Sequence, residues 1–251
     1  MPFQMTVSPD FTPDHISGWY IFNTWLQRSL GIDIHLELYD AFEQQRTAIL
    51  SDKVDLIYAN PYDAAMLVRE KGFVPIVRPQ RSSDEAIIVV HNDNPAQKVE
   101  DLKAGLAIAA TDDPDVNLMC YIMLEPAELN IGNTTRDTKN TYPLVAKSLI
   151  QHKVDLGFFL VEAFDSLSNI TRKELRPLVK SQIQVIHHAL LAGPRLVERQ
   201  NTLRELLIDM AQDTKGAGVL RTLGFEAWEL MDDEEMEFMI DLMDTLNYQP
   251  A

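Results

Sequence analysis

The densest run of ionisable groups lies at 111–117, Thr-Asp-Asp-Pro-Asp-Val-Asn, with carboxylates at Asp112, Asp113 and Asp115. Carboxylates this close hold a hard cation, complement a cationic solute, or cap a helix. The run lacks the spacing of a calcium-binding loop, so it predicts no metal. Asp115 instead predicts the N-cap of the helix that follows. His187 and His188 stand together in an apolar run read as a strand, which turns one side chain inward and the other outward. They are not a helical pair with metal spacing, and His15, His35, His91 and His152 are scattered. The single cysteine, Cys120, excludes an intrachain disulfide and a multi-cysteine metal cluster, and reads as a small buried hydrophobe. No glycine-rich phosphate loop, nucleophile elbow or Cys–His arrangement occurs. These residues predict no catalytic group, no cofactor and no metal site.

Any binding chemistry must be positioned by the elements around a repeated joint. Lys53-Val54-Asp55-Leu56 and Lys153-Val154-Asp155-Leu156 are the same tetrapeptide, one hundred residues apart. Each copy follows an amphipathic helical run and opens an apolar strand. Asp55 and Asp155 read as structural residues at the starts of those strands.

Before the first copy, "FQMTV" predicts a strand, Pro13 to Leu30 a helix stopped by Gly31, and "DIHLELYD" a half-buried strand. "AFEQQRTAILSDK" predicts a helix, "VDLIYA" a strand, "NPYDAAMLVREKG" a capped helix and "FVPIVRPQ" a short strand. The second series runs through "EAIIVVHNDNP" (strand), "KVEDLKAG" (short helix), "LAIAATDDPDV" (strand) and "NLMCYIMLEPAEL" (helix). A polar stretch with one short strand follows, then the helix "YPLVAKSLIQHK", the strand "VDLGFFLV" and a long strand "QIQVIHHALLAG". From Pro194 onward only helices are predicted. Alternating strands and helices give an α/β fold with mostly parallel sheets flanked by helices. Strands near 86–91 and 183–190 are the natural crossings, which predicts lobe I from 1–88 plus 190–251 and lobe II from 89–189.

The chain has 251 residues, 46% of them hydrophobic and 24% charged, enough for one large domain or two small ones with a substantial core. A net charge of −16 argues against a nucleic-acid partner, because phosphate neutralisation needs clustered Lys and Arg. No run approaches a transmembrane helix, which predicts no direct membrane insertion. The opening "MPFQMTVSP" lacks the basic and apolar regions of a signal peptide. The protein is therefore expected in the periplasm if a leader has been removed, and otherwise in the cytoplasm.

Several passages, in order, resemble the periplasmic solute-binding proteins of the phosphate/phosphite/phosphonate ABC-transporter class. They are "SPDFTP", "LQRSLGIDIHLELYDAFEQQRTAILSDKVDLIYANPYDAAML", "AIIVVHNDNPAQKVEDLKAGLAIAATDDPD", "LVAKSLIQHKVDLGFF" and "LRTLGFEAWELMDDEEMEFMIDLM". The resemblance implies a two-lobed, hinged type II binding fold without catalysis, with a small-molecule ligand in the interlobe cleft. It also implies a membrane ABC permease or a sensor protein as partner. The alternatives are a ligand-sensing regulatory domain of the same fold and, behind it, a small-molecule enzyme.

The resemblance breaks at the anion-binding residues. Where family members offer a Ser-Thr-Ser-type loop, this chain has the acidic run 111–117, and three carboxylates repel a phosphonate. An expected histidine falls on Tyr142, and an expected tyrosine falls on Asp84. The ligand-binding candidates are Asp10, Thr12, Tyr39, Tyr58, Asn60, Tyr62 and Asp84, with Asp112, Asp115, Asn117, Tyr142 and Glu162. Asn60 also fits a helix cap, Tyr58 a core residue, and the Asp112–Asp115 cluster a solvated cap. An acidic site favours a cationic or zwitterionic solute over simple phosphonate, since unpaired buried carboxylates are costly.

Overall fold

The computed structural model describes residues 2–11 and 15–247. The chain forms two compact units and passes from one to the other at 82/83, 186/187 and 243/244. Of the described residues, unit 1 takes those up to Ser82 and again His187–Met243; unit 2 takes Ser83–Ile186 and Asp244–Asn247.

Unit 1 opens with β1 (Phe3–Val7), α1 (Ile16–Leu30), β2 (Ile34–Leu36), α2 (Phe42–Leu50), β3 (Leu56–Ala59), α3 (Pro61–Ala65) and β4 (Val74–Pro79). Unit 2 contains β5 (Ala86–His91), β6 (Ala107–Ala110), α4 (Pro114–Leu124), β7 (Thr135–Thr138), α5 (Tyr142–Ile150) and β8 (Leu156–Leu160). It closes with α6 (Val161–Asp165), α7 (Asn169–Arg172) and β9 (Leu175–Lys180). The return adds β10 (Ala189–Ala192), α8 (Gln200–Ile208), α9 (Thr214–Thr222), β11 (Trp228–Leu230) and α10 (Asp233–Asn247).

The sheet of unit 1 has the order β11-β4-β10-β3-β1-β2, and that of unit 2 the order β7-β6-β8-β5-β9. In unit 1, β1 runs parallel to β2 and β3, while β10 lies antiparallel between β3 and β4. In unit 2, β6 runs parallel to β7 and β8, while β5 lies antiparallel between β8 and β9. The run β2-β1-β3-β10-β4 therefore corresponds strand for strand to β7-β6-β8-β5-β9. Each unit borrows its antiparallel strand from the far side of a chain crossing.

The two KVDL copies adopt one local structure. In the first, the N–H of Asp55 donates to Gln4 O at 2.8 Å, and Asp55 Oδ2 accepts the N–H of Gln4 at 2.8 Å. In the second, the N–H of Asp155 donates to Ala107 O at 2.8 Å, and Asp155 Oδ2 accepts the N–H of Ala107 at 2.8 Å. Each carboxylate thus extends the parallel ladder one pair beyond its strand. The residues before the copies match too: Asp52 (φ 55°) and His152 (φ 52°) both take the left-handed conformation that turns the chain out of α2 and α5. Asp55 is buried and also accepts from Arg195 Nη1 at 2.8 Å, whereas Asp155 is exposed.

Two apolar clusters cover the faces of the unit 1 sheet. One gathers Trp19, Phe22 and Leu26 of α1 with Leu56, Leu190, Leu203 and Leu220, and the other gathers Ile49, Ile57, Leu67, Leu191, Met236 and Ile240. The i, i+3, i+7 spacing of Trp19, Phe22 and Leu26 places them on one helical stripe. Ile16 and Tyr20 of the same helix are exposed. Gly18 is there because a side chain would collide with the backbone of α9: a Cβ would lie 2.3 Å from Thr222 O.

Several elements differ from expectation, among them the short helices α6 and α7, which the sequence reading did not anticipate. Residues 183–188 are not strand, because the N–H groups of Ile183 and Gln184 bond to the buried carboxylate of Glu85, at 3.2 and 2.7 Å, and not to a neighbouring strand. Gln184 also has a φ of 60°. β9 was hidden by Pro177, which an edge strand tolerates since one side of it carries no ladder. β11 interrupts the expected all-helical tail and pairs with β4 at the other sheet's edge. "KVEDLKAG" makes only a 3₁₀ turn, Val99–Asp101.

Replacing Asp55 by Ala strands the N–H of Gln4 and removes the partner of Arg195, and is expected to cost about 2–3 kcal/mol. Asp155→Ala, at an exposed position, is expected to cost clearly less. Melting of the two variants beside the parent checks this, and equal losses would refute the difference.

Candidate functional site

Open α/β sheets bind ligands beyond the carboxyl ends of their parallel strands. In unit 1 those ends are the segments after β1 and β3. The N–H of Ser8 donates to Tyr58 O at 2.8 Å, which joins the two segments. Asn60 then fastens the start of α3: its Oδ1 accepts the N–H of Asp63 at 2.8 Å, and its Nδ2 donates to Ser8 Oγ at 3.0 Å and to Asp63 Oδ2 at 3.2 Å. Asp63 pairs with Arg46, whose Nε lies 2.6 Å from Oδ1 and whose guanidinium lies over the rings of Phe42 and Tyr62. Gln45 of α2 donates to Thr6 Oγ and Val7 O, at 3.1 and 2.8 Å. Asn60 is buried and is the helix cap of its two readings, with both amide hydrogens spent inside unit 1.

Beside this network is a ring-lined polar pair. Tyr58 packs among Trp19, Phe225 and Trp228, and stacks on His188 with centroids 5.2 Å apart and planes 24° apart. His188 Nε2 lies 2.9 Å from Asp10 Oδ2. Tyr58 is therefore a core residue on one side and a platform for an imidazole on the other. The strand reading of His187 and His188 is corrected: both are buried, and His187 Nδ1 lies 2.6 Å from Ser82 O. Trp228 Nε1 is buried without a hydrogen-bond partner among the described residues.

In unit 2 the strand ends converge on Asp113. It, not Asp115, is the N-cap of α4: its Oδ1 accepts the N–H groups of Asp115 and Val116, at 3.1 and 3.2 Å. The reason is Pro114, which suits the first helical position and leaves the cap to the residue before it. The other oxygen, Oδ2, accepts the hydroxyl of Tyr142 at 2.8 Å, from the first turn of α5. Asp113 and Tyr142 are both buried. Asn117 donates through Nδ2 to Thr111 O at 3.0 Å, and its Oδ1 is buried without a hydrogen-bond partner among the described residues. Cys120 follows on the same helix; burial first, and the Asp113 charge second, push its thiol well above the usual range. It is the buried, inert cysteine that its apolar surroundings predicted.

The candidates thus divide. Asp10 and Tyr58 meet around His188, Asn60 stands in the adjoining network, and Asp115, Asn117 and Tyr142 surround Asp113. Tyr39 packs on the second core cluster of unit 1, and desolvation, with Glu37 nearby, raises its hydroxyl above the ordinary value. Tyr62 is 39% exposed beneath Arg46. Asp112 and Glu162 are exposed, and Asp84 is half-buried with its N–H on Ile186 O at 2.7 Å. Thr12 lies outside the described residues. Sequence reasoning passed over Ser8, Asp113 and His188 as site residues. For Asp113 the signal was present, since an Asp directly before Pro is a strong helix start. His91 and His152, read as scattered, lie together with ring centroids 4.2 Å apart.

Residues 5–236 match the family described as ABC transporter, phosphonate, periplasmic substrate-binding protein. The chain belongs to this family. Its members bind small solutes for ABC permeases. A sequence search of curated proteins finds no match. Among solved structures, PhnD1 from Prochlorococcus marinus in complex with methylphosphonate superposes with a TM-score of 0.83 at 12% identity, covering 98% of each chain. A binding protein component of an ABC phosphonate transporter from Pseudomonas aeruginosa gives 0.77 at 15% identity, covering 100% of this chain and 90% of the other. The aliphatic sulphonate binding protein SsuA from Escherichia coli gives 0.67 at 15% identity, covering 98% and 91%. At these identities the likeness shows the fold, which is the type II periplasmic-binding-protein fold. Among the described residues no helix is long and apolar enough to cross a membrane.

Asn60→Ala removes the cap of α3 together with the donors to Ser8 and Asp63. A stability loss of about 1–2 kcal/mol is expected, the usual range for a lost Asn cap. Melting curves test this, and an unchanged midpoint would show that the network carries no weight.

Proposed function

We propose that this solute-binding protein serves an ABC permease without catalysing a reaction, and that its solute is not held through a phosphonate group at α4. The reading rests on the Asp113 carboxylate. The start of a helix suits an oxyanion because its first N–H groups lack intrahelical partners and the helix dipole is positive there. In this chain Asp113 takes the first N–H groups of α4 and the Tyr142 hydroxyl. A second anion brought to the same donors meets a fixed negative charge and finds those donors occupied.

The remaining polar surface supports a solute that is cationic, zwitterionic or neutral and hydrogen-bonding. Taken by itself, unit 1 offers Asp10, His188 and the Tyr58 ring; taken by itself, unit 2 offers Asp115, Asn117 and the Asp113–Tyr142 pair. Aromatic faces and carboxylates are what a substituted ammonium group needs. The overall charge of −16 agrees with an excluded anion and with a chain that takes no nucleic acid. A sensor protein in place of a permease would read the same bound state.

Calorimetry with methylphosphonate and with inorganic phosphate tests the reading. No micromolar binding is expected for the parent chain, and such binding would overturn it. Asp113→Gly keeps an acceptable helix start while freeing the N–H groups and the Tyr142 hydroxyl. It is expected to gain at least about tenfold in affinity for these anions, the scale of one charge-assisted hydrogen bond.

A further inference from the structure

We propose that unit 2 carries a divalent transition-metal site made by His91, Asp93 and His152. One ligand atom from each of the three lies within 4.8 Å of the others. The residues come from two separate stretches, β5 with its turn and the joint between α5 and β8. Two imidazoles and one carboxylate on one side of an ion are a set that Zn²⁺, Ni²⁺, Co²⁺ and Cu²⁺ take readily, with positions left open for water or a further ligand. A four-coordinate ion with bonds of about 2.0–2.2 Å spaces its ligands about 3.3–3.6 Å apart, so small rotamer changes close this set.

Each ligand is held by structure that exists for other reasons. His91 ends β5, and its side chain is only 14% exposed. Asp93 sits in the following turn, where its N–H donates to His91 Nδ1 at 3.1 Å and its Oδ2 lies 3.6 Å from the same nitrogen; an ion bound by His91 takes the one lone pair of the neutral imidazole and so displaces this N–H. That turn is pinned: the N–H of Asn92 reaches Glu174 O at 3.0 Å, and Arg176 Nη2 donates to Asn94 O and Ala96 O at 3.0 and 2.6 Å. His152 is the left-handed residue of the second KVDL joint, with its N–H on Leu149 O at 2.9 Å. The rigid joint aims an imidazole at a rigid turn, and preorganisation of this kind is what a metal site requires. The corresponding residue of the first joint, Asp52, instead pairs with Lys71 at 2.8 Å. The repeated backbone therefore presents a metal ligand in one unit and an ion-pair partner in the other. A bound ion would join the β5 turn to the α5–β8 joint and stabilise unit 2 by mass action.

The test is calorimetry of the full chain with Zn²⁺ and with Ni²⁺ alone, together with melting in the presence and absence of each ion. One saturable site and a raised melting temperature are expected for the parent. His152→Asn keeps a residue that accepts the left-handed conformation and removes the imidazole. It is expected to bind at least about tenfold more weakly, as is His91→Asn, because losing a ligand costs no less than losing a group that orients one. His35→Asn, which alters the exposed pair with Glu37, is expected to bind like the parent. The proposal is overturned if the parent shows no saturable site, if the His152 and His91 variants bind as the parent does, or if His35→Asn loses as much affinity as they do.

Discussion

A strand in a parallel sheet must be placed in register before its carboxyl end can present anything, and in this protein a carboxylate does the placing. Asp55 and Asp155 each give an N–H to, and take an N–H from, one residue of the neighbouring strand. A one-residue slip would break both bonds at once and turn every side chain of the strand to the other face. The register of β3 on β1 and of β8 on β6 is what brings Tyr58 and Ser8 together in unit 1, and what sets the end of β6, with Thr111 and Asp113 beyond it, beside β8 in unit 2. The helices, the aromatic cluster and the capping networks all hang from these two pairings.

Placed in that way, each unit must satisfy the N–H groups of helices that begin just past its strands. The two units solve this differently although their strands correspond. Unit 1 caps the helix after β3, with Asn60, while the matching position of unit 2 is Leu160, which has no side-chain acceptor. Unit 2 caps the helix after β6, with Asp113, while α1, its counterpart after β1, has no side-chain cap. Among the helices that follow the parallel strands β1, β3, β6 and β8, internal acceptors thus occupy one start in each unit, and not the same one. Because a capped start has already spent its donors, this choice bears directly on which ligand groups are welcome.

The architecture was legible in the sequence because it is written in period and punctuation. The KVDL copies, Gly31 after α1 and the alternation of apolar runs with amphipathic ones are local signals, and local physics answers them. Elements that depend on distant partners were not legible. Residues 183–188 look like a strand, yet the N–H groups of Ile183 and Gln184 are taken by Glu85, about one hundred residues earlier. β9 and β11 exist as edges because a sheet is present to receive them. The site was harder for the same reason. His188 meets Asp10 across 178 positions, and His91 meets His152 through a turn pinned by Arg176. Spacing along the chain carries no trace of either meeting.

In the function proposed for this chain, Asp113 is the residue by which a familiar fold changes its preference without changing its backbone. A helix start that would greet an oxyanion is given one covalently, and the tethered group is held by the same N–H and hydroxyl donors a free one would use. A tethered carboxylate loses no translational freedom on binding, so it outcompetes a free anion with equal contacts. In that reading, what approaches next must complement an acidic surface. One side chain is thus the observed helix cap and, in the proposed function, also the occupant of an anion site and a bias toward a different class of solute. These three roles are one electrostatic fact seen at three scales.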